Sequence, residues 1–309
     1  MASTAVRRLQ LPLFFVLAYA ITWSIQIPAY LFASGRGESL TNEANLLHFQ
    51  DIIQGTMDPG FAWVFLLVSF SFGPTLAGII VIALVQGREG IRELFSRMVK
   101  ARIPARWIAI ILAIPVALAV ASVAVGFLLG GFHLNYAPLV PLALALPFLV
   151  HLVIFTGLAE EVGWRGYALP ELQRHHMAEK ASWILGIAWG LWHLPSNLLM
   201  PYLAGQLTVP LAIAIILGLT FGVVGWTIVL TWIYNNTGSL FWIIILHGFY
   251  NWVVSYLVLS SGNYMAQVAS GVLPWAIAVF VLKKYGAETL TQGPRPAGIP
   301  GSSPQSAGS

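Results

Sequence analysis

Apolar residues in this chain come in long unbroken runs rather than at the alternating or three-four spacing of soluble strands and helices. A helix needs about 20 apolar residues to cross the hydrocarbon core of a bilayer, and about eight stretches meet that length. They lie near 11–33, 60–86, 107–131, 137–160, 181–200, 208–233, 238–260 and 265–283. Pro28, Gly73-Pro74, Pro115 and Pro147 fall inside them, which membrane helices tolerate because neighbouring helices re-satisfy the freed backbone groups. The fourth run predicts a helix that continues past Glu160 to about Leu169, where Pro170 stops it. The pattern thus predicts an all-α fold, a polytopic membrane helix bundle, with residues 1–285 forming a single membrane domain. From about Gly286 the chain turns to Gly, Pro, Ser and Gln, which predicts a disordered tail over 286–309.

Lysine and arginine orient the bundle. Alternating the spans from a cytoplasmic N-terminus puts Arg7, Arg8, the basic stretch Arg88 to Arg106, Arg165, Arg174, Lys180, Lys283, Lys284 and Arg295 on one side. Arg36 alone falls on the other. The positive-inside rule then predicts an even span count with both termini in the cytoplasm. Arg7 and Arg8 resemble the start of a signal peptide, but the apolar run behind them is too long for one, so it is expected to stay as the first span. The charges from Gly87 to Arg106 fall at helical spacing. They fit an amphipathic helix on the inner leaflet or a solvated connector.

Composition supports the membrane reading. The chain has 309 residues, of which 58% are hydrophobic and 8% charged. Soluble domains carry roughly 25% charged residues, so the apolar surplus must face lipid. Twelve tryptophans and ten tyrosines suit the two membrane interfaces. The net charge of +4 points to the membrane surface rather than to nucleic acid, because the basic residues flank hydrophobic runs. With no cysteine, disulfides, thiolate ligands and a cysteine nucleophile are excluded.

Ionisable groups inside a bilayer cost roughly 2.5–3.5 kcal/mol or more each in charged form, so their presence marks a candidate site. The densest cluster is Glu160-Glu161-Val162-Gly163-Trp164-Arg165, where the fourth span is expected to meet the cytoplasmic interface. Glu161 and Arg165 are four apart and share a helix face. Glu160 points about 100° away and is left for another task. Two adjacent carboxylates with one arginine suggest divided labour, one paired and one able to take a proton. His193 follows Trp189-Gly190-Leu191-Trp192 in the fifth run; alone, it fits packing as well as it fits a ligand. His247 and Asn251, again four apart, project from one face of the seventh run. Measured along their spans at 1.5 Å per residue, both histidines lie roughly 13–18 Å below the inner surface. Three helices therefore bring Glu160, His193 and the His247–Asn251 pair to one level.

Elimination narrows the chemistry. The two aspartates, Asp51 and Asp58, sit in the outer loop, the zinc-protease pattern His-Glu-x-x-His is absent, and no Gly-x-Ser-x-Gly occurs. A less regular Ser–His dyad stays open. Otherwise the residues leave a glutamate base activating water, with histidines binding a metal or polarising the substrate.

At these residues the sequence resembles the CPBP family of intramembrane endopeptidases, the CAAX-processing and bacteriocin-processing (Abi-like) proteases. Glu160-Glu161-Val162-Gly163-Trp164-Arg165 is similar to its Glu-Glu-x-x-x-Arg motif. Trp189 to His193 resembles its Phe-x-x-x-His motif, with tryptophan in place of phenylalanine, and His247 to Asn251 its His-x-x-x-Asn motif. The resemblance covers about 140–260. It implies an enzyme, an intramembrane protease that hydrolyses peptide bonds of membrane-associated or prenylated substrates at a site opening toward the cytoplasmic leaflet. Glu160 would activate water with His193, His247 and Asn251 would stabilise the oxyanion, and Glu161 with Arg165 would orient the site. Glu160, His193 and His247 would also make a His₂Glu set for one zinc-type divalent ion, and the same residues serve a metal-free glutamate site. The implied partners are the lipid bilayer and a peptide or lipidated protein. Two other readings of the polar residues are a proton-coupled secondary transporter, for which no internal repeat is visible, and a non-catalytic chaperone or immunity protein.

Overall fold

The computed structural model describes residues 4–38, 42–130 and 136–292. The chain is a helical membrane bundle. Its helices are α1 (Thr4–Gly35), α2 (Asn42–Gln54), α3 (Pro59–Val68), α4 (Gly73–Val85), α5 (Gly87–Met98) and α6 (Ala105–Gly130). One long helix follows from Leu142 to Leu172, built of α7 (Ala145–Leu152), α8 (Ala159–Gly163) and α9 (Leu169–Leu172), with π-helical turns at Val153–Leu158 and Trp164–Ala168. Then come α10 (Ala178–Trp192), α11 (Leu194–Leu203), α12 (Val209–Thr237), α13 (Leu240–Val253), α14 (Tyr264–Val272) and α15 (Pro274–Tyr285).

Among the described residues, six helices are long and apolar enough to cross a membrane, or seven if the bent pair α3 and α4 counts as one span. Seven of the expected stretches map onto these. The remaining one, 181–200, is divided between α10 and α11 at His193. Pro195 explains the division, because its ring disfavours helical backbone at the residue before it and it has no N–H to continue the ladder. The His193 carbonyl at the division accepts from Asn197 N–H at 3.3 Å and also from Ser196 Oγ at 2.8 Å and Asn197 Nδ2 at 2.9 Å.

Side chains from distant helices repair such breaks. Helices α3 and α4 meet at 57°, and the carbonyls freed at the bend, Val68 and Phe70, accept from Gln26 Nε2 of α1 at 3.0 and 3.3 Å. Away from water each unmet carbonyl would cost several kcal/mol. The outer faces carry exposed Val16, Leu84, Leu128, Leu217 and Phe280, while Glu160, Glu161 and Arg165 are buried. Apolar outside and charged inside is what a lipid solvent selects.

Two local expectations change. The fourth span does not end near Leu169 but runs to Leu172, with Pro170 in the first turn of α9 just after a π turn. That register change already interrupts the i to i−4 ladder, so the missing proline N–H breaks little more. Glu160 lies inside this helix, in keeping with the expected continuation past it. The other change concerns residues 286–292, expected to begin the disordered tail, which pack on the bundle. Ala287 and Glu288 carbonyls accept from the N–H groups of Glu179 and Ala178 at the start of α10, at 3.0 and 2.8 Å, and Leu290 is fully buried. They satisfy helix-terminal donors that would otherwise lack partners. The rest of that tail, 293–309, lies outside the described residues.

Close approach of helices sets the site. A Cβ on Gly163 would stand 2.1 Å from the Pro74 carbonyl oxygen, and one on Gly248 would stand 2.6 Å from Val153 Cα. Only glycine lets α8 lie against α4, and α13 against the π turn that precedes the two glutamates.

Candidate active site

Four elements meet at the polar centre. α8 carries Glu160 and Glu161, the following π turn carries Arg165, His193 caps the C-terminal end of α10, and α13 carries His247 and Asn251. π-helical turns flank α8 on both sides, and a third (Val254–Val258) follows Asn251. Such turns insert a residue into a helix and re-aim the side chains beside it, and they gather at functional sites.

The two glutamates have different partners. Glu161 Oε1 accepts from Arg165 Nη1 at 2.9 Å and lies 2.8 Å from His247 Nδ1. Arg165 Nη2 also reaches Thr227 Oγ1 of α12 at 3.3 Å, and its guanidinium lies 4.3 Å from the centre of the Trp189 ring. Glu161 and Arg165 have no exposed surface, so each is the other's compensation for lost hydration. Glu160 instead accepts from the Trp189 indole N–H at 2.7 Å, and its Oε2 lies 3.9 Å from His193 Nε2.

Hydrogen bonding assigns the ring nitrogens. His193 Nδ1 is 2.9 Å from the Trp189 carbonyl, and a carbonyl can only accept, so Nδ1 carries the proton and Nε2 faces Glu160. His247 Nδ1 likewise donates to the Glu161 carboxylate, leaving its Nε2 for a ligand. Glu160, Trp189, His193, His247 and Asn251 all line one cavity of about 610 Å³, whose walls include Phe49, Phe148, Phe155 and Tyr250. Glu161 and Arg165 lie behind it.

Comparison with known proteins places these helices. Residues 141–253 match the family model for type II CAAX prenyl endopeptidase, Rce1-like. The site-bearing core is thus similar to that family's. The matched segment holds every one of Glu160, Glu161, Arg165, His193, His247 and Asn251, and it leaves out α1 to α6. A "CAAX prenyl protease 2" from Methanococcus maripaludis is 48% identical over 44 residues, which is 14% of this chain and 16% of that protein. The aligned stretch thus spans a small part of both.

Within the matched segment the six polar residues expected from the sequence converge, and one more joins them. Trp189, which stands where the resembled motif has phenylalanine, contacts Glu160 through its N–H, Arg165 through its ring face and His247 edge-on at 5.4 Å between ring centres. The signal was the tryptophan itself. Phenylalanine has no donor at that place, and indole does.

The conditional metal set was tested against the donors. Among the described residues, no three of His, Cys, Asp and Glu are grouped as a metal would require. His247 Nε2, His193 Nε2 and Glu160 Oε1 keep their lone pairs, but the three side chains are not gathered into such a group, and no step below is routed through a metal.

Proposed function

We propose that this protein is an intramembrane endopeptidase that cleaves prenylated CAAX-type or other membrane-associated peptides with a water activated by Glu160. The observation that carries the reading is the Glu160 carboxylate, buried in a cavity beside the free Nε2 of His193 and across from His247 and Asn251. The 3.9 Å between Oε2 and Nε2 is too long for a direct hydrogen bond, and one water oxygen can bond both groups.

The water gives one hydrogen to Glu160 and the other, as a hydrogen bond, to His193 Nε2, and its lone pair attacks the scissile carbonyl carbon. As the C–O bond forms, the proton passes to the Glu160 carboxylate. Negative charge moves to the carbonyl oxygen, where the Asn251 amide N–H donates, joined by His247 Nε2–H when that ring carries both protons. Glu161 accepts from the other side of the His247 ring and balances its charge. Aimed donors in a water-poor site stabilise such an oxyanion well beyond their strength in water. Glu160 then passes its proton to the departing amide nitrogen, the C–N bond breaks, and an acid and an amine result. The aromatic cavity walls suit an extended peptide with a lipid attached, and the positive-inside rule supports an opening toward the cytoplasmic leaflet, with both termini on that side. The match to a peptidase family favours this reading over a proton-coupled carrier or a chaperone that keeps the fold.

The test is turnover of a farnesylated CAAX peptide by purified protein in lipid nanodiscs. Glu160→Gln and His193→Ala are each expected to lower kcat by at least about 10²–10⁴-fold while the bundle stays folded. Turnover at the unmodified rate by Glu160→Gln would sink the assignment.

A further inference from the structure

We infer that Trp189 is a positioning residue for the base, and that its indole N–H is what holds the Glu160 carboxylate in its working orientation. The inference rests on the proposed role of Glu160. Trp189 is almost fully buried, and its side chain and backbone reach both partners of the water. The indole N–H donates to Glu160 Oε2 at 2.7 Å, and its own carbonyl accepts from His193 Nδ1 at 2.9 Å. One residue of α10 therefore sets the orientation of the carboxylate and the tautomer of the imidazole opposite it.

The same side chain keeps the two glutamates apart in function. Arg165 lies over the indole face, 4.3 Å from the ring centre, with Nη1 on Glu161 and Nη2 on Thr227. A guanidinium held on the ring face and tied to Glu161 is not shared with Glu160. The neutral N–H donor at the ring edge orients Glu160 without an ion pair that would tie up its proton-accepting oxygens. A cation there would serve as a counter-ion, whereas an indole N–H serves as a guide.

Phenylalanine at 189 separates these effects, since it keeps the backbone carbonyl, the buried ring and the face for Arg165 and removes only the donor. In nanodiscs, Trp189→Phe is expected to lower kcat on the farnesylated peptide about ten- to a hundredfold, the range of a lost hydrogen bond to a charged group, with KM within about twofold and an unchanged unfolding temperature. A second readout follows the contact without turnover. In ¹⁵N-tryptophan-labelled protein, the indole resonance that disappears in Trp189→Phe is expected to shift in Glu160→Ala. Full kcat in Trp189→Phe while Glu160→Gln is inactive overturns this inference and leaves the proposed function standing. A rise in KM at constant kcat, or an indole resonance indifferent to Glu160→Ala, also overturns it. Full activity of Glu160→Gln overturns the proposed function instead, and the indole resonance still decides whether the contact exists.

Discussion

Glu161 and His247 stand 86 residues apart in the chain, yet Glu161 Oε1 lies 2.8 Å from His247 Nδ1 in the interior of the bundle. The same oxygen pairs with Arg165 at 2.9 Å. One carboxylate thus links the helix that carries the proposed base to the helix that carries the proposed oxyanion donors. The arrangement has consequences for stability as well as for catalysis, and each can be measured.

Removing Arg165 leaves the Glu161 carboxylate away from water and without its cation, with the His247 ring as its remaining partner. Arg165→Ala is expected to destabilise the bundle by about 3–5 kcal/mol, read as a drop in the detergent or denaturant midpoint in nanodiscs. Replacing Glu161 by Leu and Arg165 by Met together should recover much of that loss, because neither charge then remains buried. A single variant as stable as the parent would show that the pair does not compensate lost hydration.

Gly163→Ala tests the close approach of α8 to α4. Its Cβ would meet the Pro74 carbonyl oxygen at 2.1 Å, whereas a Cβ on Gly218 of α12 has nothing within 4 Å. Overpacking of this kind costs about 1–3 kcal/mol, and it would displace Glu160 and Glu161 with the backbone that carries them. Gly218→Ala is the control, expected to be neutral or slightly stabilising. Equal unfolding temperatures for the two variants would contradict the packing argument.

Chelation separates the two versions of the chemistry that the sequence leaves open. Among the described residues no three of His, Cys, Asp and Glu are grouped as a metal would require, so turnover is expected to survive dialysis against 1,10-phenanthroline, with less than one equivalent of bound metal by elemental analysis. Loss of activity on chelation and its return with added zinc would overturn the metal-free mechanism.

The absence of native cysteine makes orientation easy to test. Ser96→Cys on α5 and Glu38→Cys beyond α1 are both exposed. An impermeant maleimide should label the first only from the cytoplasmic side and the second only from outside. Labelling of both from one side would rule out the proposed topology.

Some of this molecule could be read directly from its residues. Lipid admits only long apolar helices, so the runs beginning near 11, 107, 137, 208, 238 and 265 announce spans before any fold is known. Neighbours four apart on a helix share a face whatever surrounds them, which is why the Glu161–Arg165 pairing was expected and is observed. His247 and Asn251 line the same cavity for the same reason. The break at His193 was less visible. Pro195 signals it locally, but a run of apolar residues reads the same whether it is one helix or two.

What the chain alone determined is its solvent, its helices and the polar residues those helices cannot leave in lipid, because each follows from local spacing and the cost of burying charge. What only the tertiary structure decided is which of those residues meet. The Trp189 N–H on Glu160, the His247 ring on Glu161, and the packing of 286–292 against α10 depend on helices brought together by glycine contacts and bends. Their partners are far apart in the chain, and no spacing rule connects them.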